Sequence, residues 1–441
     1  MDVDPHSTPL TLSVRTMKIL CYTDPDFAAE MAKLNRFAAP SPAVQSTVAK
    51  ILADVAENGD AALLEYTAKF GGPTLAAEQI RVSEKELSGV TVDSATTETL
   101  KLCHANVAEF ARASLRKNWS MQNAQGVSVG ERFDAFQRVG IYVPGGTAPL
   151  VSTALMTVTL AAVAGVPEIV VTTPAAADGM IHPALLSALK LAGATEIYRV
   201  GGAQAIAALA FGTKTIPPVL KIFGPGNAYV IEAKRQVFGK VSIDQLPGPS
   251  EILIMADETA DPAWMAADLL AQAEHGHDSV IGFLTNSESI LTRLKNEIER
   301  QAATLSRQKY LLEVLEKNAF LILCQDLDQA VHLANHFSSE HLTIVAQNAL
   351  ELAQRIHTAG AIFLGNWSPV AGGDYLAGPS HTLPTGGAGK SFAGLTVDQF
   401  QRRTSIVEFD ETSLRISAPI IAAAAALEGL DAHAQSATIR L

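Results

Sequence analysis

Between about residue 150 and residue 365, short runs of β-branched and apolar residues alternate with alanine-rich helical stretches. This alternation constrains the fold more than any other feature of the chain. Strand-like runs fall at 168–173, 196–200, 219–223, 251–256, 280–285, 319–324, 341–345 and 361–364, with helical segments such as 203–211, 228–237, 262–273 and 327–337 between them. Strands separated by helices imply βαβ units, hence parallel sheets covered on both faces. So many strands in 441 residues exceed one simple core, and two incomplete Rossmann-like α/β lobes are expected. We expect residues 142–249 to form a second lobe inserted into a larger one built from 41–141 and 250–395. Residues 1–16 read as a frayed arm, 17–40 as a helical segment, and 44–66 as the clearest helix before residue 150. Residues 396–441 read as a helical tail with an alanine-rich helix over 419–427. A ligand is expected in a cleft between the lobes, at strand carboxyl ends.

Composition narrows the function. Hydrophobic residues make up 48% of the chain and charged residues 18%, which is material for large buried sheets. A formal charge of -12 argues against nucleic acid, whose phosphates demand clustered Lys and Arg. The longest uncharged stretch, 139–167, is interrupted by Pro144, Gly145, Gly146 and Pro149, so no membrane span is expected there. The first residues are acidic and carry no signal-peptide pattern. Cys21, Cys103 and Cys324 form no CxxC and are odd in number. A disulfide framework is not expected, which points to a reducing compartment, most simply the cytoplasm.

Several short motifs carry polar chemistry. No GxGxxG is present. The nearest approach, Gly224-Pro-Gly226-Asn227-Ala-Tyr229, follows a strand and opens a helix, and is compatible with either a phosphate or amide contact or an ordinary tight turn. Gly389-Lys390-Ser391 mimics the end of a P-loop, but Pro384 stands where its first glycine belongs. Gln272 and His275 share a helix face at i and i+3, as a metal pair or as a polar helix end. Glu340-His341, at a helix-to-strand junction, suits paired proton transfer or a solvated helix end. His332 and His336 read as surface residues. A Gly/Pro-rich loop holds Asp374 and His381, and Glu428 and His433 lie near the C-terminus. Taken together, Gln272, His275, Asp374 and His433 form an N/O set suited to zinc.

In order and spacing, a series of segments from about Val44 to Arg440 resembles the histidinol dehydrogenase family. They are Gly59-Asp60-Ala-Ala-Leu63, Tyr142-Val-Pro-Gly-Gly, Gly201-Gly-Ala-Gln204, Phe223-Gly-Pro-Gly-Asn227, Gly248-Pro-Ser250-Glu251, Gln272-Ala-Glu-His275-Gly, Glu340-His341-Leu and Gly373-Asp374-Tyr375. The resemblance implies Gln272, His275, Asp374 and His433 as zinc ligands that also meet substrate, and Glu340 and His341 as the acid–base pair, with His341 contacting substrate. It further implies Ser250, His381 and Glu428 as substrate contacts, and Tyr142, Gln204 and Asn227 as NAD contacts. The implied reaction is four-electron oxidation of L-histidinol to L-histidine through L-histidinal, the last step of histidine biosynthesis. The implied assembly is a homodimer whose tails complete each other's sites.

The chain departs from the family at three places. Ser338-Ser339 stand where a small residue and Pro are usual, Pro247 where Ala is usual, and Ser380 where Asn is usual. These flank functional positions without removing one, and Glu428 is retained. The alternatives are a zinc/NAD alcohol dehydrogenase for another small hydroxylated substrate, or an inactive homologue acting as a binding module.

Overall fold

The computed structural model describes residues 17–34, 41–145 and 149–441, so the expected arm at 1–16 lies outside the described residues. Two parallel sheets dominate. The larger contains β1 (Lys18–Cys21), β9 (Glu251–Ala256), β10 (Val280–Thr285), β11 (Ala319–Leu323), β12 (His341–Val345) and β13 (Ala361–Leu364), in the order β1-β11-β10-β9-β12-β13. Strand β9, EILIMA, is buried along its whole length. Ile252 and Ile254 enter the core on one face of the sheet, while Leu253 and Met255 enter a separate core on the other. Helices cover both faces, which is why the strand is continuously apolar instead of alternating.

The smaller sheet contains β4 (Arg138–Tyr142), β5 (Glu168–Thr172), β6 (Glu196–Tyr198), β7 (Lys221–Phe223) and β8 (Ser242–Ile243), in the order β6-β5-β4-β7-β8. Its chain path moves outward from β4 through β5 to β6, then returns to start again at β7. That reversal places a topological switch point between β4 and β7. Among the described residues no helix is long and apolar enough to cross a membrane.

Four expectations change. The stretch 17–40 is expected to be helical, but its start is strand β1, paired with β11 in the register Leu20↔Ile322, and among its described residues helix appears at Phe27–Lys33 alone. Its partner lies some 300 residues away, so no local pattern announces it. The helix expected at 44–66 is two helices, Pro42–Asn58 and Asp60–Lys69, parted by Gly59 at φ 53°. A left-handed backbone at Gly59 ends one helix and redirects the next. An antiparallel sheet of β2 (Trp119–Gln122), β3 (Ser128–Ala135) and β14 (Gln401–Glu408) ties the tail to residues 119–135. The tail helix begins at Glu411, capped by Asp410, and continues through Pro419 to Leu427.

Packing also redistributes the helices. Pro42–Asn58 and Asp60–Lys69 share a core with Gly202–Phe211 and Ala228–Val237, while Ser94–Ser114 shares one with Val151–Ala164. The helices of 42–114 therefore lie with the smaller sheet, not with 250–395 as the sequence grouped them.

A polar knot holds the edge of the smaller sheet. Arg138 donates two 2.9 Å bonds to Glu196, whose Oε2 also accepts from the Tyr198 hydroxyl at 2.5 Å. The Arg138 guanidinium holds Glu196 down at about 2 against the upward push of burial, with Tyr198 assisting. The folded value lies below the ordinary 4.5, so the stabilisation is complete above about pH 4.5 and is lost as pH falls toward 2. Glu196→Gln should cost about 1–2 kcal/mol at neutral pH, after discounting for solvent screening, and flatten the stability profile across that acid window. Urea melts from pH 7 to pH 2.5 read both effects, and an unchanged midpoint at pH 7 would count against the knot.

Candidate active site

The helix Leu327–Phe337 ends in Ser338, whose backbone is left-handed at φ 56°, ψ 61°. Ser338 is the one non-glycine residue with positive φ among those described. Its hydroxyl donates to the Thr358 carbonyl at 2.7 Å, which holds the tight turn in place. The turn delivers Glu340 and His341, both buried, to the amino end of β12.

One neighbouring peptide orients both side chains. Glu340 Oε2 accepts from the Glu251 N–H at 2.8 Å, and His341 Nδ1 lies 3.1 Å from the Glu251 carbonyl oxygen. A carbonyl can only accept, so Nδ1 carries the proton and Nε2 is the ring nitrogen left for chemistry. Nε2 faces Asp374 Oδ1 at 3.5 Å. Burial raises the Glu340 carboxyl well above the usual carboxylate range, partly offset by His341. Burial opposes charge on His341, but Glu340 and then Asp374 outweigh it and raise the imidazole.

Helix Pro262–Ala273 follows β9 and runs back across the sheet, so its last turn returns to the amino edge. It carries Gln272, which is buried with neither side-chain amide atom hydrogen-bonded. An orphaned buried amide costs about 1–3 kcal/mol, which marks it as awaiting a partner. His275 follows with an exposed edge, while the protein packed around the rest of its ring lowers the imidazole, countered by Asp374. Burial alone would raise Asp374, but its hydrogen bond to His341 and the charges of His341, His381 and His275 hold it low. His381 Nε2 lies 3.4 Å from Thr153 Oγ1. Ser250 immediately precedes β9, and its carbonyl accepts from Val280 N–H at 3.0 Å.

The chain thus brings Glu340, His341, Asp374, His275 and Gln272 to one edge of the larger sheet. It does not bring His433 or Glu428 there. His433 is exposed on helix Asp431–Thr438 and Glu428 is exposed at the end of Glu411–Leu427. No three His, Cys, Asp or Glu side chains among the described residues form a metal cage alone. One amide, one imidazole and one carboxylate are a donor set whose chemistry fits a borderline metal such as zinc. His332 and His336 are exposed. Lys390 ends a single turn, Ala388–Lys390, with no strand leading into it, unlike a P-loop.

Three contributors escaped the sequence reading. The Glu251 peptide gave no signal, since main-chain bonding is blind to side-chain type. Thr153 belongs to an apolar helix of the smaller-sheet side and meets His381 only through the fold. Asp268, one turn before Gln272, is pushed up to about 6 by burial, with the Asp374 charge adding. Its i−4 spacing from Gln272 was the available clue.

A second candidate site lies at the switch point of the smaller sheet. A cavity of about 430 Å³ is lined by Tyr142, Gly201, Gln204, Asn227, Phe70 and Tyr229, among others. Its size lies within the roughly 300–1,000 Å³ usual for cofactor and ligand pockets. Tyr142 ends β4, and its hydroxyl accepts from the Gly202 N–H at 3.2 Å. Gln204 is buried with its side-chain oxygen unpartnered. Asn227 caps helix Ala228–Val237, accepting from Tyr229 and Val230 N–H at 3.1 Å each. This cavity sits at strand carboxyl ends, as expected, but its lining comes from the smaller-sheet side alone and not from between the lobes. The acid–imidazole pair sits at the amino edge of its own sheet, where the expectation of carboxyl ends fails.

Paired parallel α/β sheets, one with a cavity at its switch point, place the chain among the α/β proteins that bind small ligands at such crevices. The sequence pattern of histidinol dehydrogenase matches residues 34–441. The chain is 43% identical over 394 residues to the histidinol dehydrogenase of Geobacillus kaustophilus, covering 89% of this chain and 93% of that one. It is 44% identical over 423 residues to that of Rhodopseudomonas palustris, covering 95% and 97%. The crystal structure of histidinol dehydrogenase from Elizabethkingia anophelis superposes with a TM-score of 0.92 at 34% identity, over 96% of this chain and 98% of that one. The chain belongs to the histidinol dehydrogenase family.

Proposed function

We propose that the chain oxidises L-histidinol to L-histidine with two equivalents of NAD, and that zinc held by Gln272, His275, Asp374 and His433 of the partner subunit anchors the substrate. The observation that carries this reading is the His341 imidazole. Its Nδ1 is locked to the Glu251 carbonyl and its Nε2 is directed at the Asp374 and His275 side of the pocket, with Glu340 beside it. When bound, NAD accepts a hydride in each oxidation, and zinc orients the amine and imidazole of the substrate. His341 Nε2 removes the hydroxyl proton in the first oxidation. Glu340 takes a proton from the water that adds to the aldehyde, so a gem-diol is ready for the second. Overall one alcohol, one water and two NAD⁺ give one carboxylate, two NADH and three protons. Ser250 and His381, with the tail residue Glu428, hold the substrate.

Tyr142, Gln204 and Asn227 would contact NAD in the 430 Å³ cavity. Arg199 is the only cation lining it among the described residues. Its nitrogens are taken up by the carbonyls of Gly179, Gln79 and Arg81 and by Glu86. Among the described residues that line the cavity no guanidinium is left to greet a 2′-phosphate, which favours NAD over NADP. The division into a cofactor lobe around 142–249 and a catalytic lobe around 250–395 belongs to this proposal, with the helices of 42–114 on the cofactor side. So does a cytoplasmic location, in keeping with three free cysteines.

Counting products tests the reaction. Two NADH should form per histidinol consumed; one NADH, or turnover only of another small alcohol, would favour the alternative dehydrogenase. Single turnovers test the division of labour. Glu340→Gln should slow histidinal oxidation by about 100-fold or more while leaving the first hydride transfer within several-fold. Equal losses in both half-reactions would remove Glu340 from the water step.

A further inference from the structure

The loop 224–227 at the mouth of the cofactor cavity has an unusual anchor. Gly224 is left-handed at φ 108°, and a Cβ there would lie 2.1 Å from the Tyr142 carbonyl oxygen. Its backbone therefore runs hard against β4 and cannot be replaced or relaxed outward. Both of its peptide groups are bonded by one buried ion pair. The Gly224 N–H donates to Asp244 Oδ2 at 2.8 Å, and the Gly224 carbonyl accepts from Lys234 Nζ at 2.8 Å. Lys234 and Asp244 meet at 2.5 Å with side chains 0% and 1% exposed. Asp244 Oδ1 also accepts from the Gln245 N–H at 2.6 Å, and Gln245 Nε2 donates to the Thr382 carbonyl at 3.1 Å, next to His381.

Burying two charges is costly, and a packed apolar pair is often as stable. What an apolar pair cannot do is satisfy the N–H and carbonyl of a loop residue that has no strand partner. Lys234 also lies on the helix that Asn227 caps, so its bond to the Gly224 carbonyl ties that helix to the loop leading into it. We propose that Lys234 and Asp244 are positioning residues for cofactor binding: they touch no part of NAD, but hold loop 224–227 so that Asn227 meets it in the right place. This rests on the NAD reading of the cavity.

The test compares Lys234→Met, Asp244→Asn and the double variant, with Asn227→Ala as the reporter of the cofactor reading. The double variant removes both charges together, so it should melt cooperatively and keep its metal. Its Kd for NAD should rise about tenfold or more, with KM for the alcohol substrate within about twofold, and Lys234→Met alone should be worse because it strands the Asp244 charge. A folded double variant with wild-type NAD affinity, alongside a weakened Asn227→Ala, would overturn the clamp alone. Wild-type affinity in Asn227→Ala would overturn the cofactor reading and the clamp with it. Hydrogen exchange on the wild-type protein decides the matter even if no variant folds. The Gly224 amide, held by Asp244, and the Tyr229 and Val230 amides, capped by Asn227, should be protected before NAD is added, and free exchange at Gly224 would overturn the proposal.

Discussion

His275→Ala protein should purify with little metal and without measurable turnover. The imidazole has an exposed edge at the end of helix Pro262–Ala273, so its removal threatens the ligand set more than the fold. Its neighbour Gln272 offers a buried side-chain amide with neither atom hydrogen-bonded within the protein, a donor that a ligand at this edge would satisfy. Losing one of four ligands should weaken zinc by about 100-fold or more, and activity should fall with occupancy. Active wild-type protein should carry about one zinc per chain, lose activity to a chelator and regain it with zinc. Metal analysis beside circular dichroism separates loss of ligand from loss of fold. Full metal content and activity in His275→Ala would remove Gln272 and His275 from the ligand set.

Much of the fold was legible where its periodicity was local, although β4, buried along its whole length, was not marked as a strand. Runs such as EILIMA and HLTIV are continuously apolar because two helical layers cover them, and the structure places strands there with the bounds read from sequence. Strand β1 was missed because KILC is four residues long and finds its partner only through the tertiary fold. Strand β2 was missed for a different reason. All four of its residues are exposed, so no alternation of polar and apolar residues marks it. Gly59 was seen but its backbone sign was not, and a single left-handed residue turned one expected helix into two.

The site was legible as chemistry and not as place. Residue type and spacing singled out Glu340-His341 and the Gln272/His275 face, but put any ligand at strand carboxyl ends. That rule holds for the cavity at Tyr142 and Asn227. It fails for the acid–imidazole pair, because the helices after β9 and β11 run back and deliver Gln272, His275 and Ser338 to the amino edge. Ser338 shows the same limit. Its sequence gives only a small polar residue, whereas the structure uses it in a left-handed turn whose hydroxyl fixes the approach to Glu340.

Mixing two inactive variants, His341→Ala and His433→Ala, should restore about a quarter of wild-type activity once their subunits exchange. The reasoning starts from where the single chain leaves the tail. His433 and Glu428 are exposed, and among the described residues no hydrogen bond or ion pair joins them to Asp374 or His341. The same tail exposes Ile416, Ile420, Leu427 and Ile439, an apolar surface that a second copy would cover. The proposed donor set on the larger sheet, meanwhile, is Gln272, His275 and Asp374, and the proposal takes its fourth member from the tail. If the tail completes the partner's site, a hybrid dimer has one site with intact His341 and intact His433, and another with both lesions. Random exchange makes about half the dimers hybrids, each with one good site of two, hence the quarter. If instead the tail folds onto its own body, every site in every dimer keeps one lesion and nothing is regained. Exchange must be shown independently, for instance by mass-labelled subunits. Proven exchange without recovery would reject the shared site and return His433 to the surface of its own chain.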